Sequence, residues 1–174
     1  MRTTSKTLNK PALAAAFAAL LATTTAWGDD AAALQASQLV GTWTLVAADV
    51  LRPDGTRVHD YGDAPHGSLI VAANGTYSVQ IYSSERPRFA AGDKAKGTDA
   101  EFRQAILGCS THYGRISVDP AAHVMTLDVQ QSSYPNQEGL PQKRQYELKD
   151  DVLSYRVAAR PDGSIPVSQW RRVR

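Results

Sequence analysis

The chain has 174 residues, of which 43% are hydrophobic and 21% are charged, and its 19 basic and 17 acidic side chains give a formal net charge of +2. This length predicts about one domain, large enough to bury a core without disulfide or metal cross-links. No stretch concentrates lysine and arginine as a nucleic-acid-binding surface would, so we expect no nucleic-acid partner.

Residues 1–28 have the organisation of a secretory signal peptide. Three basic residues precede an apolar run at 11–21, and Ala26-Trp27-Gly28 provides small residues of the kind a signal peptidase recognises. The run is shorter than the roughly 20 residues of a membrane span, although a retained anchor is the alternative. We expect an exported protein, periplasmic or secreted, with no stable membrane insertion after cleavage and a single domain at 29–174. Removal of 1–28 leaves 16 basic and 17 acidic residues, a net charge of −1.

Cys109 is the only cysteine of the chain, so an intrachain disulfide is impossible. Stability in an oxidising compartment must then come from packing. The thiol could be reactive, but the favoured interpretation is a small buried apolar residue.

The domain at 29–174 is predicted to consist mainly of β-strands. A short helix with aspartate caps is predicted over 31–39, and the first strand follows with Trp43, Leu45 and Ala47 on one face. Seven more strands are predicted at 68–73, 76–83, 111–118, 124–133, 142–149, 152–159 and 164–174. Asn74-Gly75 is the clearest hairpin turn, because both central residues of a type I′ turn need positive φ. Eight strands joined by hairpins predict an antiparallel sandwich or an up-and-down barrel.

One excursion, residues 85–108, interrupts the series of strands. Its second half, 98–108, is predicted to be an amphipathic helix, because Thr98 and Glu101 have the spacing of a capping box and Gly108 can end the helix. We expect this excursion to lie across one mouth of the barrel.

A series of short motifs extends over almost the whole domain. They are Leu39-Val40-Gly41-Thr42-Trp43, Gly67-Ser68-Leu69-Ile70-Val71, Asn74-Gly75-Thr76-Tyr77-Ser78, Arg86-Pro87-Arg88-Phe89-Ala90, Gly92-Asp93, Tyr113-Gly114, Tyr134-Pro135-Asn136 and Trp170-Arg171-Arg172. In this order they resemble the lipocalin-like domain proteins of bacteria and fungi. The resemblance implies an all-β, eight-stranded up-and-down antiparallel β-barrel whose interior could hold one small, mostly apolar molecule. It also implies a structural role for Gly41 and Trp43, with Arg172 or Arg171 packed over the indole.

The predicted ligand-binding residues are aromatic and basic side chains from the strands and the excursion. They are Tyr77, Arg86, Arg88, Phe89, Tyr113, Arg144, Tyr146 and Tyr155. Two arginines beside an aromatic ring at 86–89 can pair with a carboxylate or stack on a planar ligand, and salt bridges within the excursion are the alternative. His112 and Tyr113 are neighbours on a strand, so only one of them faces the interior. Arg144 is also expected inside, as a charge that needs a partner.

We predict no metal site and no cofactor. His59, His66, His112 and His123 are scattered, without a close pair on one element. The sequence has no G-x-S-x-G nucleophile motif and no glycine loop that would cradle a phosphate.

Three functions remain open at this point. The favoured one is an exported protein that binds a small hydrophobic or aromatic ligand inside the barrel. The first alternative is a barrel cyclase or isomerase acting on a polyketide-like or terpenoid-like substrate, with Tyr113 or His112 as the acid-base group and Arg88 or Arg144 binding negative charge. The second alternative is a structural or interaction module of the cell envelope with a filled barrel. We expect any site near 86–89 and Tyr113, far from Trp43.

Overall fold

The computed structural model describes residues 37–174. The predicted signal peptide and most of the predicted helix at 31–39 lie outside these residues, and Ser37–Leu39 form a single 3-10 turn. The elements that follow are β1 (Gly41–Leu51), β2 (Arg57–Val58), β3 (His66–Val71), β4 (Thr76–Tyr82), α1 (Asp99–Leu107), β5 (Cys109–Asp119), β6 (Val124–Ser132), β7 (Pro141–Lys149), β8 (Val152–Arg156) and β9 (Ile165–Arg172). Short 3-10 turns also occur at Lys94–Lys96 and Pro135–Gln137. Within 37–174 no helix is both long and apolar enough to cross a membrane.

Eight of these strands form one closed antiparallel barrel in sequence order. From β3 to β9 each strand pairs with the next, β1 pairs with β3, and β9 pairs back with β1 so that Trp43 lies opposite Arg172. The two-residue strand β2 is added beside the end of β1, where Val50 pairs with Val58. The prediction of an eight-stranded up-and-down barrel is therefore confirmed. Closure leaves the eight strands without free edges.

A bulge changes which residues of β1 face the interior. Trp43 and Leu45 are buried inside as predicted, but the register with β9 shifts between Leu45 and Ala47. The extra residue, Val46, is exposed, and Ala48 replaces Ala47 as the next buried residue. The prediction that Ala47 shares the face of Trp43 and Leu45 is wrong, because a bulge adds one residue to a period of two.

A second bulge lies between β5 and β6, next to Gly114. The register shifts between Tyr113 and Gly114, which leaves Gln130 as the extra residue. A Cβ atom at Gly114 would lie 1.9 Å from the carbonyl oxygen of Asp128. Glycine is needed here because the two strands approach more closely than any side chain permits.

One end of the barrel is closed around Trp43. This side chain is fully buried, and its Nε1 donates a hydrogen bond to the carbonyl oxygen of Leu39 at 3.0 Å. The guanidinium of Arg172 lies 4.0 Å from the centroid of the indole and donates to the backbone carbonyls of residues 38 and 40. Arg171 is exposed. Of the two arginines, Arg172 therefore forms the floor, and the interior is reached from the opposite end.

The excursion between β4 and β5 contains α1 at the predicted position. The Thr98 hydroxyl accepts from the backbone N–H of Glu101, and the Glu101 carboxylate accepts from the N–H of Thr98. The backbone N–H of Gly108 donates to the carbonyl of Gln104 and ends the helix. The predicted capping box is confirmed. None of the residues of α1 is buried, so the helix lies on the surface of the barrel.

Candidate functional site

The end of the barrel opposite Trp43 opens into a cavity of about 400 Å³. It is enclosed by strand ends that meet at this end of the barrel and by the connections 52–65, 133–140 and 157–164. The lining residues are Ala48, Asp49, Val50, Asp60, Tyr61, Ile81, Ser110, His112, Tyr134, Gln137, Arg144, Tyr155, Val157, Ala158, Arg160, Pro166, Val167 and Ser168. Seven apolar residues and three tyrosines share this wall with eight polar or charged residues, and cavities of this size are typical of small-molecule sites.

Arg144 brings a positive charge into this cavity. Arg144 is the first buried residue of β7 and is only 5% exposed. The guanidinium carbon lies 5.3 Å from the centroid of the Tyr155 ring. Its Nε atom is buried without a hydrogen-bond partner, and no ion pair within residues 37–174 includes Arg144. The described protein therefore leaves this charge without an anion.

The carboxylates of the cavity wall already have cationic partners. Asp49 is buried and accepts from Arg57 at 2.9 Å and from His59 at 2.8 Å. Its hydrogen bond and charge raise the pKa of His59. Asp60 forms an ion pair with Arg160 at 2.8 Å, which joins two connections at the mouth. Neither acid is free to neutralise a further cation.

His112, which lines the cavity, forms a buried hydrogen-bonded pair with Tyr77 behind it. Their Nδ1 and hydroxyl atoms are 2.8 Å apart, and the rings meet edge to face with centroids separated by 5.5 Å. Burial, assisted by the charge of Arg144, lowers the pKa of His112 to about 4. Burial also raises the pKa of Tyr77. At neutral pH the imidazole is therefore uncharged and the phenol is protonated, so the pair can share a proton but adds no charge.

The structure brings together only some of the predicted ligand-binding residues. Arg144 and Tyr155 line the cavity, and Tyr77 supports His112 from beneath. Tyr113 is 50% exposed and lines an open groove on the outer face of the barrel. Of these two neighbours, His112 takes the inward position, so Tyr113, the next residue of the strand, faces outward. Tyr146 is buried, but its hydroxyl bonds Gln38 at the closed end.

The excursion, expected to cover the mouth, contributes no residue to the cavity lining within 37–174. Arg86 and Arg88 are exposed, and Arg86 lies over the ring of Tyr82 at 4.8 Å. Phe89 packs edge to face on Phe102 with centroids 5.5 Å apart. The segment folds on itself, since the Glu101 carboxylate also accepts from the N–H of residue 90. Residues 86–89 therefore lie outside this cavity, because Phe89 packs against α1 instead of the barrel.

Sequence reasoning missed the residues at the rim of the cavity. Tyr61, Tyr134 and Arg160 lie in connections between strands and were not among the predicted ligand-binding residues. In an up-and-down barrel alternate connections lie at the same end, so the order of the predicted strands already indicates which connections surround the open end. That order could have pointed to these residues. Within residues 37–174 no three His, Cys, Asp or Glu side chains are grouped so as to hold a metal ion.

Comparison with known proteins identifies a family for this fold. The family model for lipocalin-like domains matches residues 40–173. Similar solved structures include a REP1-NXSQ fatty acid transporter, with 13% identity, 79% of this chain and 98% of that chain covered, and a TM-score of 0.37. EF1p2_mFAP2b bound to DFHBI has 12% identity, 82% and 99% coverage, and a TM-score of 0.39. The fluorescent protein UnaG has 15% identity, 79% and 99% coverage, and a TM-score of 0.36. These TM-scores are too low to support any inference about a ligand. No curated protein sequence matches the chain significantly.

Proposed function

The chain belongs to the lipocalin-like domain family, and from this we propose that it is an exported binding protein that holds a small hydrophobic or aromatic molecule in its barrel. The observation that carries the proposal is the cavity of about 400 Å³ at the open end. Its volume falls within the range of small-molecule sites, and its wall combines aliphatic side chains such as Val50 and Ile81 with the aromatic rings of Tyr61, Tyr134 and Tyr155. Such a wall favours an apolar or planar ligand.

Binding can be tested with a fluorescent apolar probe and a pair of matched variants. Ile81→Trp adds an indole at a buried position that lines the cavity, whereas Ile70→Trp adds the same group at a position that is 48% exposed on the adjacent strand. We expect the first variant to lose probe binding and the second to retain it. Equal binding by both variants, or no binding by the unmodified protein, would contradict the proposal.

Export is supported by the sequence of residues 1–28 and is tested separately. The chain is expressed in full, and the N-terminus of the product recovered from the periplasm or the medium is determined. Cleavage near Gly28 is the expected result. A full-length product that stays with the membrane fraction would support the alternative of a retained anchor.

An enzyme is kept as a second candidate because His112 and Arg144 share the cavity. An uncharged imidazole beside a guanidinium can accept a proton from a carbon acid while the cation stabilises the resulting enolate. Tyr113 and Arg88, the other residues considered for this chemistry, lie outside the cavity. Deuterium exchange at the α-carbon of a bound ketone, lost in His112→Gln with binding intact, would support catalysis. The third hypothesis, a structural module with a filled barrel, predicts that no probe binds the unmodified protein.

A further inference from the structure

We propose that the ligand is an organic acid and that Arg144 binds its carboxylate at the inner end of the cavity. The inference rests on the proposed binding function and specifies the chemical class of the molecule bound. It follows from the charge and the hydrogen-bonding groups of the barrel interior, and not from the wall, which is compatible with many apolar molecules.

Arg144 carries a positive charge that burial does not remove. A guanidinium stays protonated at every pH at which proteins fold, so burial cannot remove its charge as it can for a lysine. Transfer of an unpaired ion out of water is expensive. The contact with the ring of Tyr155, at 5.3 Å from the centroid, offsets only a small part of that cost. A buried and unpaired arginine is therefore expected to have a partner when the protein is in use.

The acidic side chains of the described protein do not supply that partner. Asp49 and Asp60, the acids of the cavity wall, are held by other cations. Asp128 is the one acidic residue of the neighbouring strand β6, whose Met125 pairs with Arg144. It faces outward and is exposed, whereas the inward residues Leu127 and Val129 on either side of it are apolar.

The interior of the barrel has an excess of hydrogen-bond donors. Within residues 37–174 two buried side-chain polar atoms lack a partner, Nε of Arg144 and Nε1 of Trp170. Both are donors, and both residues pack against the ring of Tyr155, at centroid distances of 5.3 and 6.5 Å. Trp170 is fully buried and does not line the cavity, so Arg144 is the donor that a ligand can reach. A group that only accepts hydrogen bonds complements this donor, and a carboxylate offers several lone pairs and a matching charge. A neutral carbonyl would leave the charge uncompensated.

These constraints also give the orientation of the ligand. Arg144 and His112 lie on the inward faces of β7 and β5, whereas the rim is formed by Tyr61, Tyr134 and the ion pair of Asp60 with Arg160. The carboxylate therefore enters first, and the apolar part of the molecule fills the wall and points toward the mouth.

The test compares a fluorescent fatty acid, 11-(dansylamino)undecanoic acid, with its methyl ester on the unmodified protein. The two probes share the same apolar body, so the difference in Kd reports the carboxylate alone. Hydrogen bonds to a charged group predict that the acid binds about ten- to a hundredfold more tightly than the ester. Arg144→Gln should abolish this preference by weakening the acid, while the ester changes by less than about threefold. Arg144→Lys should retain part of the preference, and Arg86→Gln, at an exposed arginine, should retain all of it.

The outcomes separate this inference from the proposed function. If neither probe binds the unmodified protein, the binding function itself fails. If both probes bind with equal Kd, the barrel binds ligands but the inference about the acid is wrong. The comparison of acid and ester on the unmodified protein requires no variant, so it decides the question even if Arg144→Gln does not fold. A preference for the acid that survives in a folded Arg144→Gln would place the anion site elsewhere and overturn the assignment.

Discussion

Replacement of Arg144 by methionine should stabilise the ligand-free protein, although it removes a buried side chain with many contacts. Methionine has a similar length and no charge, so it can fill the same space without the cost of an unpaired ion. Replacing buried ionic groups by apolar residues of similar volume is neutral or stabilises by about 1–4 kcal/mol. Loss of the contact with Tyr155 offsets about 0.5–2 kcal/mol of this gain. We expect Arg144→Met to raise the free energy of unfolding by about 1–2 kcal/mol.

The measurement is urea unfolding of the protein after bound molecules have been removed on an apolar resin. For a chain of this size the expected gain corresponds to an increase in Tm of about 2–8 °C. Arg156→Met is the matched control, because Arg156 is exposed on the next strand, and its stability should change by less than about 0.5 kcal/mol. With the acid probe at about 100 times its Kd, the stability advantage of the variant should disappear. The unmodified protein gains about 2.7 kcal/mol from binding, whereas a variant that binds the acid about ten- to a hundredfold more weakly gains only about 0.4–1.4 kcal/mol.

A loss of about 3–5 kcal/mol in Arg144→Met would refute this reasoning. A loss of that size is expected when one member of a buried ion pair is removed, because the remaining charge is left without compensation. It would mean that Arg144 has an anionic partner within the protein and that the charge of the barrel interior is compensated without a ligand.

Three further predictions concern the site and the barrel that supports it. The pKa of His112 is lowered to about 4 in the folded protein, so between about pH 6.5 and pH 4 the unfolded state binds more protons than the folded state. The free energy of unfolding should therefore fall by up to about 3 kcal/mol as the pH decreases from about 6.5 toward 4. His112→Gln should remove this part of the pH dependence in urea titrations, and an unchanged slope would contradict it. Arg172→Met should lose about 2–4 kcal/mol of stability without changing the Kd of the acid probe, whereas Arg171→Met should change neither quantity. Gly114→Ala should lose more than about 3 kcal/mol or fail to fold, because its Cβ would overlap the backbone of Asp128, and stability like that of the unmodified protein would show that the strands can separate.

The elements of this fold could be predicted because their signals are local. Strand positions follow from alternation and from turns such as Asn74-Gly75, and the start of α1 follows from Thr98 and Glu101 three residues apart. Each of these signals involves residues that are close together in the chain, so it can be recognised without the tertiary structure. The two bulges were missed, since an extra residue in one strand is defined only against its partner.

The candidate site could be predicted only in part. Alternation places Arg144, Tyr155 and Tyr77 inside, but it cannot choose between His112 and Tyr113, because one step of register exchanges the two faces of a strand. Arg86 and its neighbours looked like a site because of their composition, yet their positions depend on packing within the excursion that a linear pattern does not contain.

Alternation and turns in the sequence suffice for the class of fold and for a charged residue on an inward face, and the family resemblance adds the closed floor with Trp43 and an arginine from the last strand. That Arg172 covers the indole, and that the charge of Arg144 is left without an acid, emerges only from the folded chain. Compensation of a buried charge depends on every group that surrounds it. Those groups come from strands far apart in the chain, and closure of the barrel places Asp128 outside while Asp49 and Asp60 are paired with other cations.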